Sequence, residues 1–98
     1  MFVVSLTYVV ELSEVEPHLA AHVEFLERHY ARGHFVASGR KVPRTGGIIL
    51  ARVASREQLD AILAEDPFQQ AGVAEYEVTE FLATKVAPGF ESIKDSLQ

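Results

Sequence analysis

Four runs rich in β-branched and aromatic residues alternate with two helical patterns in this 98-residue chain, in the order strand, helix, strand, strand, helix, strand. That order predicts an α+β sandwich. Its two βαβ-like halves form a ferredoxin-like, antiparallel four-stranded sheet with both helices on one face. A second observation concerns the other face. Ile48, Ile49 and Leu50 are consecutive, so their strand points large apolar groups both ways, and pairing two sheets in a homodimer covers the face the helices leave bare.

The first strand reads as residues 2–10, "FVVSLTYVV", with Phe2, Val4, Leu6, Tyr8 and Val10 on an apolar face and Val3, Ser5, Thr7 and Val9 on a mixed one. A helix follows in "LSEVEPHLAAHVEFLERHYARG". Ser13 is a candidate cap, Pro17 is tolerable in the first turn, and Gly33 is a stop signal. Leu19, Val23, Leu26 and Tyr30 recur at helical period and predict its inward stripe. "HFVASG" and "GGIILARVA" are the second and third strands, joined by the basic connection "RKVPRTGG". Ser55 opens a capping-box pattern with Gln58, and Leu59, Ile62 and Leu63 form the inward face of a short second helix. Pro67 disfavours helical geometry at Asp66, so that helix is expected to end at or just before it. "FQQAGV" makes one turn before the fourth strand, "AEYEVTEFLAT", whose alternation slips near Glu80 and Phe81, as in a bulge or a strand buried on both faces at its end.

One domain over residues 1–98 is expected, with a core at 2–86 and a tail at 87–98. A net charge of −5 repels phosphate backbones and anionic membrane surfaces, which argues against nucleic-acid partners. With no cysteine, disulfides, thiolate nucleophiles and cysteine-based zinc sites are excluded. Apolar runs such as "GGIILA" fall far short of the roughly 20 residues of a membrane span, and the N-terminus lacks the basic lead of a signal peptide. A cytoplasmic protein is expected.

Three histidines, His18, His22 and His29, lie in a row on the first helix, within about 40° of one another. His22 lies nearest the apolar stripe and is expected to be the most buried. A half-buried imidazole needs a partner, because an unsatisfied buried polar group costs about 1–3 kcal/mol. Spacing alone leaves two roles open for it, a core-edge histidine on a backbone carbonyl or a working side chain. Although His18 and His22 have ligand-pair spacing, "HLAAH" carries alanines where a zinc hydrolase has its glutamate. His29 lies roughly 10 Å further along the axis, too far to share an ion, so no metal is expected. Asp66 likewise has two compatible roles. One carboxylate oxygen can cap the "PFQQAG" turn while the other meets a histidine.

Several pieces together resemble the YCII-related (YciI-like) family of the dimeric α+β barrel superfamily: the N-terminal strand, "HVEFLERHYARG" with His22 eleven residues before Gly33, "SG" at Ser38–Gly39, "GGIILA", and "DPF..AG" from Asp66. The resemblance spans roughly residues 2–82. It implies a ferredoxin-like protomer that pairs its sheet with a second copy, and an active site built on His22 and Asp66. One departure is Arg40, where the family usually has proline after "SG"; with Lys41 and Arg44 it makes a local positive patch. That patch reads either as a solvated loop or as an anion receptor at a pocket rim, since arginine grips carboxylates bidentately.

Asp66 would fix the tautomer of His22 and stabilise its imidazolium, so that the ring exchanges protons near neutral pH. A dyad of this kind, with no strong nucleophile beside it, suits a cofactor-free isomerase or an HX-eliminating lyase acting on a small acidic or hydroxyaromatic compound. Ser38 is placed to add a hydrogen bond to substrate, together with Arg40, Lys41 and Arg44, and Tyr8 is a further candidate. The rival reading is a non-catalytic small-molecule binding or accessory domain with the same pocket. A third is a ferredoxin-like monooxygenase acting on activated aromatics.

Overall fold

The structure, a computed structural model, describes residues 1–95. Strand β1 (Phe2–Tyr8) is central and runs antiparallel to both β3 (Gly46–Ala51) and β4 (Ala74–Glu80), with β2 (Phe35–Arg40) at the edge beside β3. The resulting order, β2-β3-β1-β4, is that of a ferredoxin-like sheet. Short helix α1 (Leu12–Val15) and a 3-10 turn (Glu16–His18) lead into α2 (Leu19–Ala31), while α3 (Arg56–Leu63) and the single turn α4 (Pro67–Gln70) join β3 to β4. None of these helices is long and apolar enough to cross a membrane.

The alternation of β1 sends Phe2, Val4 and Leu6 into a core shared with Phe25 of α2 and Leu59, Ile62 and Leu63 of α3. Burial of side chains of this size stabilises the fold by about 1.5–3 kcal/mol each. Ser55 caps α3 by accepting the Gln58 N–H at 3.1 Å, and the Gln58 amide returns to the Ala54 N–H at 2.9 Å. Gly33 ends α2 at a φ of 77°, a conformation that costs glycine little.

The inward stripe of α2 differs from the one its apolar spacing predicts. His22, Phe25 and His29 face the core, whereas Leu19, Val23 and Tyr30 are 37%, 42% and 38% exposed. The face is turned by about one residue, or 100°. Two facts make this arrangement stable. Each histidine has an acid partner, Asp66 for His22 and Glu65 for His29, and Leu19 and Val23 line a cavity, with Leu26 reaching both that cavity and the core. The most buried histidine is also not the expected one. His29 is 1% exposed and His22 9%, because the His29 ring sits among Phe25, Phe35 and His34.

Strand β4 stops at Glu80, so the slip in alternation near Phe81 is the end of the strand, not a bulge. The register shift in this sheet falls in β2, between Phe35 and Ala37. Past the sheet the tail folds back, and Asp95 accepts the Ala83 N–H at 2.7 Å while approaching Arg52 at 3.9 Å. That N–H, reinforced by the neighbouring cations, holds the Asp95 carboxyl below the usual range. The last three residues of the tail read from sequence, 96–98, lie outside the described residues.

On the face away from the helices, the cross-strand pairs Val3↔Leu50 and Ser5↔Ile48 extend to Ala37 and Gly39 of β2. Ile48 and Leu50 remain half-buried there, with no helix over them among the described residues.

Gly46 marks the tightest approach in the sheet, since a Cβ there would collide with the backbone carbonyl of Leu6. Gly46→Ala is expected to cost about 2–4 kcal/mol in urea denaturation, through overpacking against an immovable backbone. Gly39→Ala, which meets nothing within 4 Å, is expected to stay within about 0.5 kcal/mol of the parent.

Candidate active site

Pro67 stands at the first position of α4 and leaves Asp66 extended, at φ −70° and ψ 121°, directly after α3. The Asp66 side chain therefore swings off the helical path into the space between α2 and β4. It is fully buried, at 0% exposure, and all of its hydrogen bonds are internal. Oδ1 accepts the Phe68 N–H at 3.0 Å and the His22 Nδ1–H at 2.7 Å, and Oδ2 accepts the Tyr76 hydroxyl. Capping and histidine pairing thus coexist, but on one oxygen. The other belongs to Tyr76.

Burial, followed by the Asp66 charge, pushes the Tyr76 hydroxyl well above its ordinary range, so it stays a proton donor. The His22 ring lies flat on Phe68, with centroids 4.0 Å apart and planes 6° apart, and Phe68 meets Tyr8 edge-on at 5.9 Å. The Asp-Pro-Phe segment therefore does three things. It supplies the carboxylate, turns the chain, and lays an aromatic platform under the imidazole.

Because Nδ1 donates to a carboxylate, the lone pair of the neutral ring sits on Nε2. Among the described residues Nε2 has no protein partner, and it is not a sealed, unpartnered atom. His22 lines a cavity of about 290 Å3 between α2 and the sheet. Leu6, Tyr8, Leu26, Ile49 and Phe68 make its walls largely apolar, and Ser38, Arg40 and Arg44 add polar groups. Among the described residues, His22 and the two arginines are its titratable lining apart from Tyr8, and no carboxylate lines it. An acidic protein thus surrounds this cavity with positive charge.

Of the residues singled out from sequence, His22 and Asp66 meet, and Ser38, Arg40 and Arg44 share the cavity with His22. Ser38 Oγ is also bonded to the Tyr30 hydroxyl at 2.6 Å. Lys41 is not on the cavity wall, because its Nζ donates to Thr7 Oγ1 at 3.0 Å on strand β1. Tyr76 and Phe68 were not picked out by sequence spacing. The one available signal for Tyr76 was its inward parity on the fourth strand, opposite Leu6.

A second histidine–acid contact lies one residue back along the chain. Glu65 accepts the His29 Nε2–H at 3.0 Å, and His29 Nδ1 pairs with His34 Nδ1 at 2.9 Å. Neither of these histidines lines the cavity, so the contact ties α2 to the end of α3 without facing a ligand space. Among the described residues, no three histidine or carboxylate side chains converge in the manner of a metal centre.

No curated protein matches this chain. Among solved structures it is similar to 5-chloro-2-hydroxyhydroquinone dehydrochlorinase from Burkholderia phenoliruptrix, determined in complex with 2,5-dihydroxybenzoquinone. The TM-score is 0.67 at 19% identity, over 83% of this chain and 93% of that one. At that identity the likeness bears on the fold, and it agrees with the ferredoxin-like sheet and helices described above. The YCII-related domain model matches residues 1–82, from the first strand through the end of the sheet, and this chain belongs to that family.

Proposed function

We propose that the chain is a cofactor-free lyase or isomerase in which His22 moves a proton on a small anionic or hydroxyaromatic compound. One observation carries this reading. An imidazole holds its Nδ1–H on a buried carboxylate at 2.7 Å while its other nitrogen is left to a cavity. That is the arrangement a general base needs, and positioned bases contribute about 10²–10⁴-fold to rate. The similar protein is a dehydrochlorinase of a chlorinated hydroxyhydroquinone, and this supports the choice of reaction class.

The chemistry follows from one base used twice. Nε2 takes the proton of a ring hydroxyl, and the imidazolium, steadied by Asp66, returns it to a ring carbon; the product is a keto tautomer, which is an isomerisation. If that carbon bears a halide, removal of a second hydroxyl proton sends the electron pair through the ring to form C=O and break C–X. The net loss is HX, and no electrons are gained or lost. Arg40 and Arg44 stabilise the phenolate or carboxylate charge, and the apolar walls and the Phe68–Tyr8 pair suit a flat ring.

The chain is further proposed to work as a homodimer joined through the outer sheet face, where Leu50 and Val3 lack cover from their own helices. Light scattering is expected to give about twice the 10.8 kDa of one chain, and Leu50→Lys to shift the protein towards monomer. A parent protein that stays at one chain mass across concentration removes the dimer.

Halide release and solvent-deuterium incorporation test the reaction directly, with halogenated hydroxyhydroquinones and muconolactone-type acids as substrates. His22→Ala is expected to lower turnover by about 10²–10⁴-fold while ligands still bind. Equal turnover by parent and variant withdraws the base, and binding without turnover by both points to an accessory binding domain. Asp66→Asn is expected to fold with a loss of about 1–3 kcal/mol, because an amide cannot accept all three hydrogen bonds, and to lose most of the turnover.

A further inference from the structure

We propose that Tyr76 is a positioning residue of the His22–Asp66 pair, fixing the carboxylate through Oδ2 and limiting how strongly it draws the proton onto His22. The inference rests on the reading of His22 as a base. Tyr76 sits opposite Leu6 in the β1–β4 register, on the helix-facing side of the sheet, with its ring partly buried against the core. Its hydroxyl reaches Asp66 Oδ2, while His22 and the Phe68 N–H share Oδ1. A carboxylate bonded at both oxygens cannot rotate or exchange one oxygen for the other. Without Tyr76, Oδ2 would be a fully buried acceptor with no partner.

The hydroxyl also acts on charge. Its bond to Asp66 is strongest when the carboxylate is not already balanced by an imidazolium, so it favours the neutral, basic form of His22. The groups around the pair come from β1, α2, β2 and the β2–β3 connection. Tyr8 of β1 lies beside Tyr76, and Arg40 and Arg44 share the cavity with His22 from the β2–β3 side. His22 itself projects from α2. Exchanging Tyr76 for Phe leaves all of these groups in place.

Tyr76→Phe keeps the ring and removes only the hydroxyl. Following the His22 ring resonances by NMR through a pH titration, with His22→Gln to assign them, the variant is expected to titrate about 0.5–1 pH unit above the parent. The acid limb of the rate profile is expected to move the same way. With the carboxylate freed, kcat should fall about tenfold to a hundredfold with KM within about twofold. A purely structural tyrosine would lower the urea midpoint and leave the His22 titration where it was, and that result overturns the proposal. If the variant fails to fold, the parent decides: the Tyr76 hydroxyl proton should shift as His22 titrates, and a hydroxyl resonance that ignores that titration also overturns it. These titrations need no substrate. A parent protein that turns over none of the test compounds, but whose His22 titration moves in Tyr76→Phe, keeps the positioning role and removes only the assigned reaction.

Discussion

A carboxylate with no exposed surface has to find every partner inside the protein, and Asp66 finds three from three different places. Phe68 comes from its own turn, His22 from α2 and Tyr76 from β4. Removing an ion from water costs several kcal/mol, and such an arrangement rarely stabilises more than well-packed apolar side chains would. It does fix relative positions. The helix carrying His22, the turn carrying Phe68 and the strand carrying Tyr76 are each held in register with the same two oxygens. The precision of the imidazole follows from that, because its ring is restrained at Nδ1 by the acid and across its face by Phe68.

Much of this could be read from the residues in order. Turn and capping signals at Ser55, Pro67 and Gly33 act locally, through backbone preferences that need no tertiary context, and the elements they bound begin or end within about three residues of them, α3 stopping at Leu63 ahead of Pro67. The meeting of His22 with Asp66 was also legible, since a carboxylate held off the helix by proline and followed by six uncharged residues has to look to another element for its partner. The role of α2 was harder to see. Its apolar spacing points to Leu19, Val23 and Tyr30, yet the sheet receives His22, Phe25 and His29. Periodicity measures hydrophobicity and is blind to acids on another element that make a histidine face cheap to bury. It is equally blind to a cavity that leaves leucine and valine facing open space. Tyr76 was hidden for a related reason, because a tyrosine at an inward strand position reads as core until the acid opposite it is located.

The same sequence logic places two histidine–acid contacts side by side and gives them different surroundings. His22 and His29 are seven residues apart on α2, about 10 Å along its axis, while their partners Asp66 and Glu65 are adjacent, with Cα atoms about 3.8 Å apart. Neighbouring side chains span that gap because the backbone turns between them. Glu65 still follows the end of α3, and Asp66 is already extended ahead of Pro67. The two acids diverge along α2 and hold it at two points, which leaves the helix little freedom to slide or roll. What separates the contacts is the space in front of each ring. His29 faces Phe25, Phe35 and His34, and its second nitrogen is spent on His34, so it can anchor and do nothing more. His22 has an apolar, arginine-rimmed cavity before its free nitrogen. Asp66 is sealed and triply bonded, whereas the side chain of Glu65 is 46% exposed, so the better-defined carboxylate stands behind the histidine that meets the cavity. An anchor for the helix can tolerate a solvated acid, but a base that must offer one lone pair in one direction cannot. This difference between otherwise similar pairs is the physical ground for proposing proton transfer at His22 and only attachment at His29.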